Sequence, residues 1–254
     1  MNHHLKTALN GVFAIYKPKG ITSRQAATKV QLFLTQHVLQ TDRPWKVKLK
    51  DRVKVGMGGI LDPMAEGVLV LGLGNGCKQL QSYLKGTKEY EATALLGQTT
   101  DTYDAEGTIV HTAPTQHINE DLLLSALDSF RGNILQTPPL YSGLKVQGKR
   151  LYNYARQGIE PPTSLIPRQV TLHQIELLDF QGTTVVLKME TSGGFYVRSL
   201  IHDLGQSLGC GAHMTRLVRT KQGPWTLSTS LPLLLDTNMN DQMKLDTILE
   251  ALSH

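Results

Sequence analysis

The stretch from residue 56 to residue 76, GMGGILDPMAEGVLVLGLGNG, constrains the fold more than any other, because it joins a glycine-rich turn to an apolar run. Its glycines permit backbone conformations that a side chain would forbid, and Pro63 biases Asp62 away from the helical region. The VLVLGLG run that follows is rich in Val and Leu and closed by glycines, which predicts a buried strand. The sequence therefore predicts Asp62 on a tight turn beside a buried strand.

A carboxylate in this position is costly to place unless it forms an ion pair or takes part in chemistry. Aspartate before proline is also ordinary turn chemistry. From this string alone, a structural turn and a catalytic carboxylate are both open interpretations of Asp62.

The amino-acid composition and the net charge favour a globular protein with an anionic partner. The 254 residues are 40% apolar and 19% charged, and Lys and Arg exceed Asp and Glu by five. We expect one compact domain over residues 11–230, followed by a tail or short helix at 231–254. The two cysteines and the lack of a signal peptide or a membrane-length apolar run predict a soluble intracellular protein with no membrane partner. Nucleus, cytoplasm and mitochondrion are not distinguished.

Periodicity predicts several elements around the Asp62 turn. Residues 11–18 should form a strand, and Thr22 or Ser23 should cap the helix that follows. Two strands over 168–180 and 183–191 should lead into a helix with one apolar face, which places Tyr196 and Arg198 where strand meets helix. Functional side chains often occupy such junctions.

Residues 45–55, within a basic insertion at about 41–55, alternate cations with apolar residues. In an extended strand, one face would then carry Lys46, Lys48, Lys50, Arg52 and Lys54. An RNA-binding face and a solvated edge strand are both open interpretations. A second basic span, near Lys145, interleaves cations with tyrosines, as suits an RNA backbone with splayed bases.

No cofactor or metal is predicted. GLGNG at 72–76 follows a strand, but Cys77 stands where a dinucleotide fingerprint needs its third glycine. Cys210 and His213 have metal-like spacing and no matching second pair of ligands.

Taken together, six strings resemble the TruB family of tRNA pseudouridine synthases and cover most of residues 11–225 in the family's order. They are IYKPKGITS (15–23), GMGGILDPMAEGVLVLGLG (56–74), KEYEATALLGQTTDTYDAEG (88–107), RGNILQTPPLYSGLKVQGKRLYNYARQGIEP (131–161), SGGFYVRSLIHDLG (192–205) and GCGAHMTRLVRTKQG (209–223). The basic insertion and the glycine pair before Ile60 resemble the eukaryotic branch, which modifies the tRNA T-loop.

The resemblance implies the pseudouridine-synthase fold, an α+β arrangement with a mixed, largely antiparallel sheet, flanking helices and a central catalytic cleft. It implies no C-terminal PUA domain. It also implies isomerisation of uridine 55 in the T-arm of tRNA, with an aspartate nucleophile and base flipping. A monomer is expected, with messenger RNA as a further candidate substrate.

The family's motifs carry roles onto matching residues. Asp62 matches the catalytic aspartate, Arg198 the arginine that pairs with it, and Tyr90 and Tyr196 the active-site tyrosines. The tyrosine Tyr90 is the candidate for moving the C5 proton. Substrate-binding roles are expected for Met57, Tyr196, Leu217, Lys17 and Lys145.

One departure lies at Met57, where family members usually carry a histidine that helps hold the flipped nucleotide. A methionine fills space but cannot donate a hydrogen bond. A tRNA-binding or folding module with weak or lost catalysis is therefore an alternative. A guide-RNA-dependent synthase of the dyskerin type is another.

Overall fold

The structure is a computed structural model that describes residues 3–160, 162, 165–233 and 240–252. The chain forms two compact units, unit 1 with Met1–Lys88 and Val218–His254, and unit 2 with Glu89–Leu217. Helices and a mixed, largely antiparallel arrangement of strands occur in both, so the predicted α+β class is confirmed. Over the described ranges, every helix is too short or too polar to cross a bilayer. The predicted boundaries at 11–230 and 231–254 stay a prediction.

The helices are α1 (His3–Ala8), α2 (Ser23–Leu39), α3 (Leu80–Lys85), α4 (Glu120–Asp128), α5 (Leu151–Ala155), α6 (Val197–Ser207) and α7 (Asp241–Leu252). The strands are β1 (Gly11–Lys17), β2 (Val55–Met57), β3 (Glu66–Leu73), β4 (Lys88–Leu96), β5 (Gln98–Thr100), β6 (Ile109–Thr112), β7 (Gly132–Gln136), β8 (Lys145–Val146), β9 (Lys149–Arg150), β10 (Arg168–Gln181), β11 (Thr184–Thr191), β12 (Ala212–Gln222), β13 (Trp225–Thr226) and β14 (Leu231–Pro232).

In unit 1, β3 is the central strand, and all of its residues after Glu66 are buried. It pairs antiparallel with β1, from Gly11 opposite Leu73 to Lys17 opposite Gly67. The end of β12 adds to β3 in parallel, β2 adds antiparallel, and β14 adds to β1 in parallel. The buried strand expected after Asp62 is thereby confirmed.

Helix α2 begins as predicted and covers this sheet. Thr22 and Gln25 form a capping box, in which Gln25 N donates to Thr22 Oγ1 at 3.1 Å and Thr22 N donates to Gln25 Oε1 at 2.8 Å. Val30 and Leu34 of α2 are fully buried in the core of unit 1. Helix α1 adds Leu5 to the same core, Leu9 follows directly after that helix, and α7 adds Leu245 and Ile248.

In unit 2, the strand order is β12–β4–β11–β10–β7, with β10 antiparallel to β11 and to β7. Short hairpins join β5 with β6 and β8 with β9. Helix α6 turns its predicted apolar face inward, since Leu200, Ile201 and Leu204 are buried, as is Leu208, which caps its C-terminal end.

The strand predicted over residues 45–55 is wrong. Two 3₁₀ turns, Pro44–Lys46 and Leu49–Asp51, interrupt it, and β2 begins only at its last residue. Arg52 donates to two carbonyls of the segment, which removes them from any strand ladder. The five cations therefore do not share one face of a strand.

Candidate active site

Asp62 lies in unit 1 between β2 and β3, on the turn that the sequence predicts. Its carbonyl accepts from Ala65 N at 3.1 Å, which closes the turn, and Gly58 N donates to Val70 O at 2.9 Å. The residue is half-buried. We call residues 58–63 the aspartate loop.

The backbone on each side of Asp62 is tied to the segment that joins β1 to α2. Ser23 Oγ accepts from Leu61 N at 2.8 Å and donates to Leu61 O at 2.9 Å. Pro63 O accepts from Gly20 N at 2.8 Å and from Lys17 Nζ at 3.4 Å. These contacts fix the position of the catalytic candidate through the backbone of its two neighbours.

A buried polar pair on β12 holds the same loop from another side. Arg219 Nε donates to Val68 O at 2.7 Å, and its Nη1 lies 3.5 Å from Ile60 O. Gln222 Nε2 donates to Gly58 O at 2.7 Å. Arg219 is 1% exposed and Gln222 is fully buried, so these bonds form away from competing water.

Gly67 allows β12 to approach this closely. Its φ is +107°, and a Cβ there would collide with the backbone of Arg219. A side chain at this position would therefore displace β12 and the buried pair that it carries.

Lys17 and Met57 are both placed in unit 1, but their side chains face protein. Lys17 is fully buried, and its ammonium donates to Ile21 O at 2.6 Å and Pro18 O at 2.9 Å, as well as to Pro63. This geometry favours support of the aspartate loop, and the predicted contact of Lys17 with substrate stays a prediction. Met57 pairs with Leu71 across β2 and β3 and packs against the apolar core.

Lys88 is the last residue of the first chain segment of unit 1, and its side chain caps the C-terminal end of α3. Its ammonium donates to the carbonyls of Tyr83 and Leu84 at 2.9 Å each and to Gly86 O. Burial, and then the charge of Arg219, lower the pKa of Lys88 to about 8. The three carbonyls act in the opposite direction because they favour the charged ammonium.

In unit 2, Arg198 lies in the first turn of α6 and has a carboxylate partner that the sequence reasoning did not identify. Its Nη1 lies 3.6 Å from Asp104 Oδ2, and both side chains are nearly buried, at 4% and 7% exposure. The same guanidinium donates to Thr102 O at 3.0 Å and Tyr141 O at 2.8 Å. Arg198 is therefore held in one orientation by three groups from two segments of unit 2, the turn with Thr102 and Asp104 and the segment with Tyr141.

Asp104 is itself fixed by its own turn. Its Oδ1 accepts from Thr102 Oγ1 at 2.7 Å and from Glu106 N at 3.1 Å. The sequence shows only a polar turn there, TTDTYDAEG, and the resemblance assigned no role to it. The signal that could have found Asp104 is its place inside one of the six resembling strings.

A ring stack supports the same turn. Tyr103 has a positive φ of 63°, and its ring lies 3.8 Å from that of His202 at an angle of 15°. Burial, followed by the charge of Asp203, raises the pKa of Tyr103, whereas burial lowers the pKa of His202. Both rings are therefore uncharged near neutral pH.

The remaining predicted residues also lie in unit 2. Tyr90 on β4 and Leu217 on β12 are buried, at 6% and 5% exposure. Tyr196 caps α6, and its backbone N–H donates to Gln136 Oε1 at 2.7 Å. Lys145 is exposed on the β8–β9 hairpin. Arg198 lies in unit 2 and Asp62 in unit 1, so their predicted pairing stays a prediction.

The prediction that no metal is needed is not tested by this structure. Over the residues that it describes, no three His, Cys, Asp or Glu side chains are grouped to hold a metal ion. Cys210 and His213, considered above as ligands, are buried, and His213 Nδ1 lies 2.9 Å from Gln98 O.

Comparison with known families places these residues in one of them. Residues 46–197 match the model described as TruB family pseudouridylate synthase (N terminal domain). Residues 198–253 match the tRNA pseudouridylate synthase B C-terminal domain. The chain belongs to the TruB family. The first match includes Asp62, Tyr90 and Tyr196, and Arg198 begins the second.

Relatives of this TruB-family chain occur in animals and bacteria. It is 40% identical to pseudouridylate synthase TRUB1 of Homo sapiens over 248 residues, which covers 97% of this chain and 69% of that protein. It is 43% identical to tRNA pseudouridine synthase B of Aromatoleum aromaticum over 230 residues, covering 91% and 68%. Because the two identities are similar, the eukaryotic branch stays a prediction.

Solved structures confirm the pseudouridine-synthase fold of the TruB-family chain. A crystal structure of a Cbf5-Nop10-Gar1 complex matches with a TM-score of 0.65 and 25% identity, over 97% of this chain and 61% of that one. An archaeal box H/ACA sRNP Nop10-Cbf5 complex matches with a TM-score of 0.62 and 26% identity, over 96% and 58%. The central catalytic cleft stays a prediction.

Proposed function

We propose that this chain isomerises uridine to pseudouridine in tRNA, at position 55 of the T-loop, with Asp62 as the nucleophile. Membership of the TruB family supports the reaction, and the identity of its bacterial relatives as tRNA pseudouridine synthases supports tRNA as the substrate. The observation that carries the proposal is the fixed backbone on both sides of Asp62. A monomer acting on the T-arm, messenger RNA as a further substrate and an intracellular site stay predictions.

The reaction breaks the C–N bond between the base and its sugar, turns the base, and forms a C–C bond to the same sugar carbon. Asp62 attacks the uridine ring or the sugar, or stabilises positive charge at the sugar carbon. Any bond formed to Asp62 breaks again, so the carboxylate is regenerated. C5 of the base loses a proton and N1, released from the sugar, gains one, and Tyr90 is our candidate for moving the C5 proton. No electrons are gained or lost overall, so the reaction needs no redox partner.

The target base must leave its stack before Asp62 can reach it, which costs a few kcal/mol. Tyr196 is our candidate for stacking on the extruded base, and Leu217 for contact with its apolar edge. Arg198 is our candidate for holding the reacting carboxylate ionised. Its three contacts with Asp104, Thr102 and Tyr141 leave it little freedom to reorient, which suits a preorganised charge.

The test is base-resolution mapping of pseudouridine in an unmodified tRNA transcript after incubation with the purified chain. We expect one product, at position 55, and at least a 10³-fold slower single-turnover rate for Asp62→Asn with unchanged tRNA affinity. Asp121→Asn makes the same chemical change at an exposed aspartate in α4 and should leave the rate unchanged. Appreciable product from Asp62→Asn would remove Asp62 from the nucleophile's role.

A tRNA-binding module with weak catalysis is the second candidate, favoured by the packing of Met57 against apolar core. A multiple-turnover assay separates the two, because a module of this kind binds tRNA without releasing successive modified products. The same assay without any added guide RNA tests the guide-dependent alternative.

A further inference from the structure

The segment between α2 and β2 is held in a defined shape by one arginine. Arg52 Nη2 donates to Trp45 O at 2.7 Å, and Arg52 Nε donates to Val47 O at 2.9 Å. We call residues 42–54 the basic loop. Because Arg52 is half-buried and occupied by these bonds, it shapes the loop instead of presenting a charge at its surface.

Helix α2 anchors the end of the basic loop. Val53 N donates to Thr35 Oγ1 at 3.1 Å, and Gln31 Nε2 donates to Val53 O at 2.9 Å. Thr35 is fully buried, so the anchor is shielded from water. The loop therefore presents its outer side chains from a backbone that is already ordered.

Those outer side chains combine positive charge with an exposed aromatic ring. Trp45 is 59% exposed. The exposed cations are Arg43, Lys46, Lys48, Lys50 and Lys54. With Arg52, the loop holds six cations against two carboxylates, a surplus of four in a chain whose whole surplus is five. The charge that favours an anionic partner is thus concentrated here.

We propose that the basic loop is an RNA-binding surface, on which Trp45 stacks against an unpaired base while neighbouring lysines contact phosphates. The proposal rests on the proposed function, which supplies RNA as the substrate. Aromatic faces accept any base, and cations beside them follow the backbone. Since Arg52 orders the loop beforehand, little conformational entropy is lost when the base stacks.

Leu49 provides an internal control. It lies on the same loop and is 72% exposed, more than Trp45, but it lacks a π-face. A surface that binds its partner through apolar area would lose affinity when either residue is truncated. A surface that stacks bases depends on Trp45 far more than on Leu49.

The first experiment measures binding of unmodified tRNA by the whole chain. We expect Trp45→Ala to weaken binding about 5- to 150-fold, Trp45→Phe to restore most of it, and Leu49→Ala to change it less than about twofold. Trp45→Ala should leave the salt slope unchanged, whereas replacing Lys46, Lys48 and Lys50 with Ala should lower it by about two to three. Equal affinities for wild type and Trp45→Ala would overturn the proposal.

The second experiment observes the indole directly. The chain has two tryptophans, so Trp225→Phe leaves Trp45 as the reporter. The indole Nε1 of Trp225 is buried and finds no hydrogen-bond partner among the described residues, so phenylalanine loses no known bond there. Single-stranded oligouridylate should quench Trp45 fluorescence, whereas heparin, a polyanion without bases, should bind with little quenching. Equal quenching by both would overturn stacking and leave only charge attraction.

Failure of this inference and failure of the proposed function give different results. If the chain forms pseudouridine but Trp45→Ala binds tRNA as wild type does, only the surface is wrong. If no pseudouridine forms but binding depends on Trp45, the surface stands and the reaction is wrong.

Discussion

Ser23→Ala should lower both the stability of unit 1 and the rate of the reaction. The Ser23 hydroxyl acts through Leu61, the residue before Asp62. The Ser23 hydroxyl forms two hydrogen bonds with Leu61, one with its N–H and one with its C=O. Both residues are buried, at 1% and 3% exposure. Water therefore cannot readily replace the lost partner.

The size of the effect follows from these two bonds. A buried backbone group left without a partner costs about 1–3 kcal/mol, so for the N–H and C=O of Leu61 together we expect the free energy of unfolding to fall by about 2–6 kcal/mol. If the aspartate loop shifts by about 1 Å in consequence, the rate should fall by up to about 100-fold. Affinity for tRNA should change little, because the hydroxyl is not accessible.

Urea unfolding followed by tryptophan fluorescence measures the stability term, because Trp45 and Trp225 both lie in unit 1. Single-turnover pseudouridine formation measures the catalytic term. Ser82→Ala is the matched control, since Ser82 Oγ donates one exposed bond to Gln79 O within unit 1. It should cost less than about 0.5 kcal/mol.

An unfolding midpoint and a rate that both match wild type would refute this reasoning. Such a result would mean that Leu61 finds other partners and that Ser23 does not position the loop. A loss of stability with an unchanged rate would separate the two effects and leave Asp62 positioned by its other anchors.

Two further predictions concern buried charge. Asp104→Asn removes the carboxylate beside Arg198 and should lower the free energy of unfolding by up to about 3–5 kcal/mol, measured by thermal melting. Glu106→Gln, at an exposed site, is the control and should leave it unchanged. Equal melting temperatures for wild type and both variants would contradict this prediction. The pKa of Lys88 is lowered from 10.5 to about 8 in the folded chain. Between these two pH values, Lys88 is protonated in the unfolded chain and largely deprotonated in the folded chain. The contribution of Lys88 to the free energy of unfolding therefore rises as the pH rises through this window. Urea unfolding at pH 7 and pH 10 measures this. From pH 7 to pH 10, the stability of wild type relative to Lys88→Met should increase, whereas its stability relative to Lys85→Met should not change. A stability difference that is independent of pH for both variants would contradict the assignment.

Much of the local structure could be predicted because its causes lie within a few residues. The capping box of Thr22 and Gln25 starts α2 where the sequence indicates. The glycine-bounded Val and Leu run becomes β3, and Asp62 stands on the turn before it. These features depend on spacing and backbone conformation, which the sequence shows directly.

The basic loop shows where local pattern fails. Alternating cations and apolar residues predict a strand, but a strand also needs free backbone groups and a neighbour. Pro44 starts a 3₁₀ turn, and Arg52 takes the carbonyls of Trp45 and Val47. The conformation therefore depends on which carbonyls the Arg52 guanidinium binds, and the alternation of residue types cannot predict this.

By itself, the sequence determined the type and order of most elements, the turn at Asp62 and the resemblance to one family. Only the tertiary structure decided which groups hold the candidate residues: Ser23 for Leu61, Gln222 for Gly58, and Asp104 for Arg198. Propensity and spacing act between near neighbours in the chain. A buried polar group can instead pair with any group that folding brings close to it, however distant in sequence. It must find such a partner, because leaving it unpaired destabilises the fold by more than a typical hydrogen bond stabilises it.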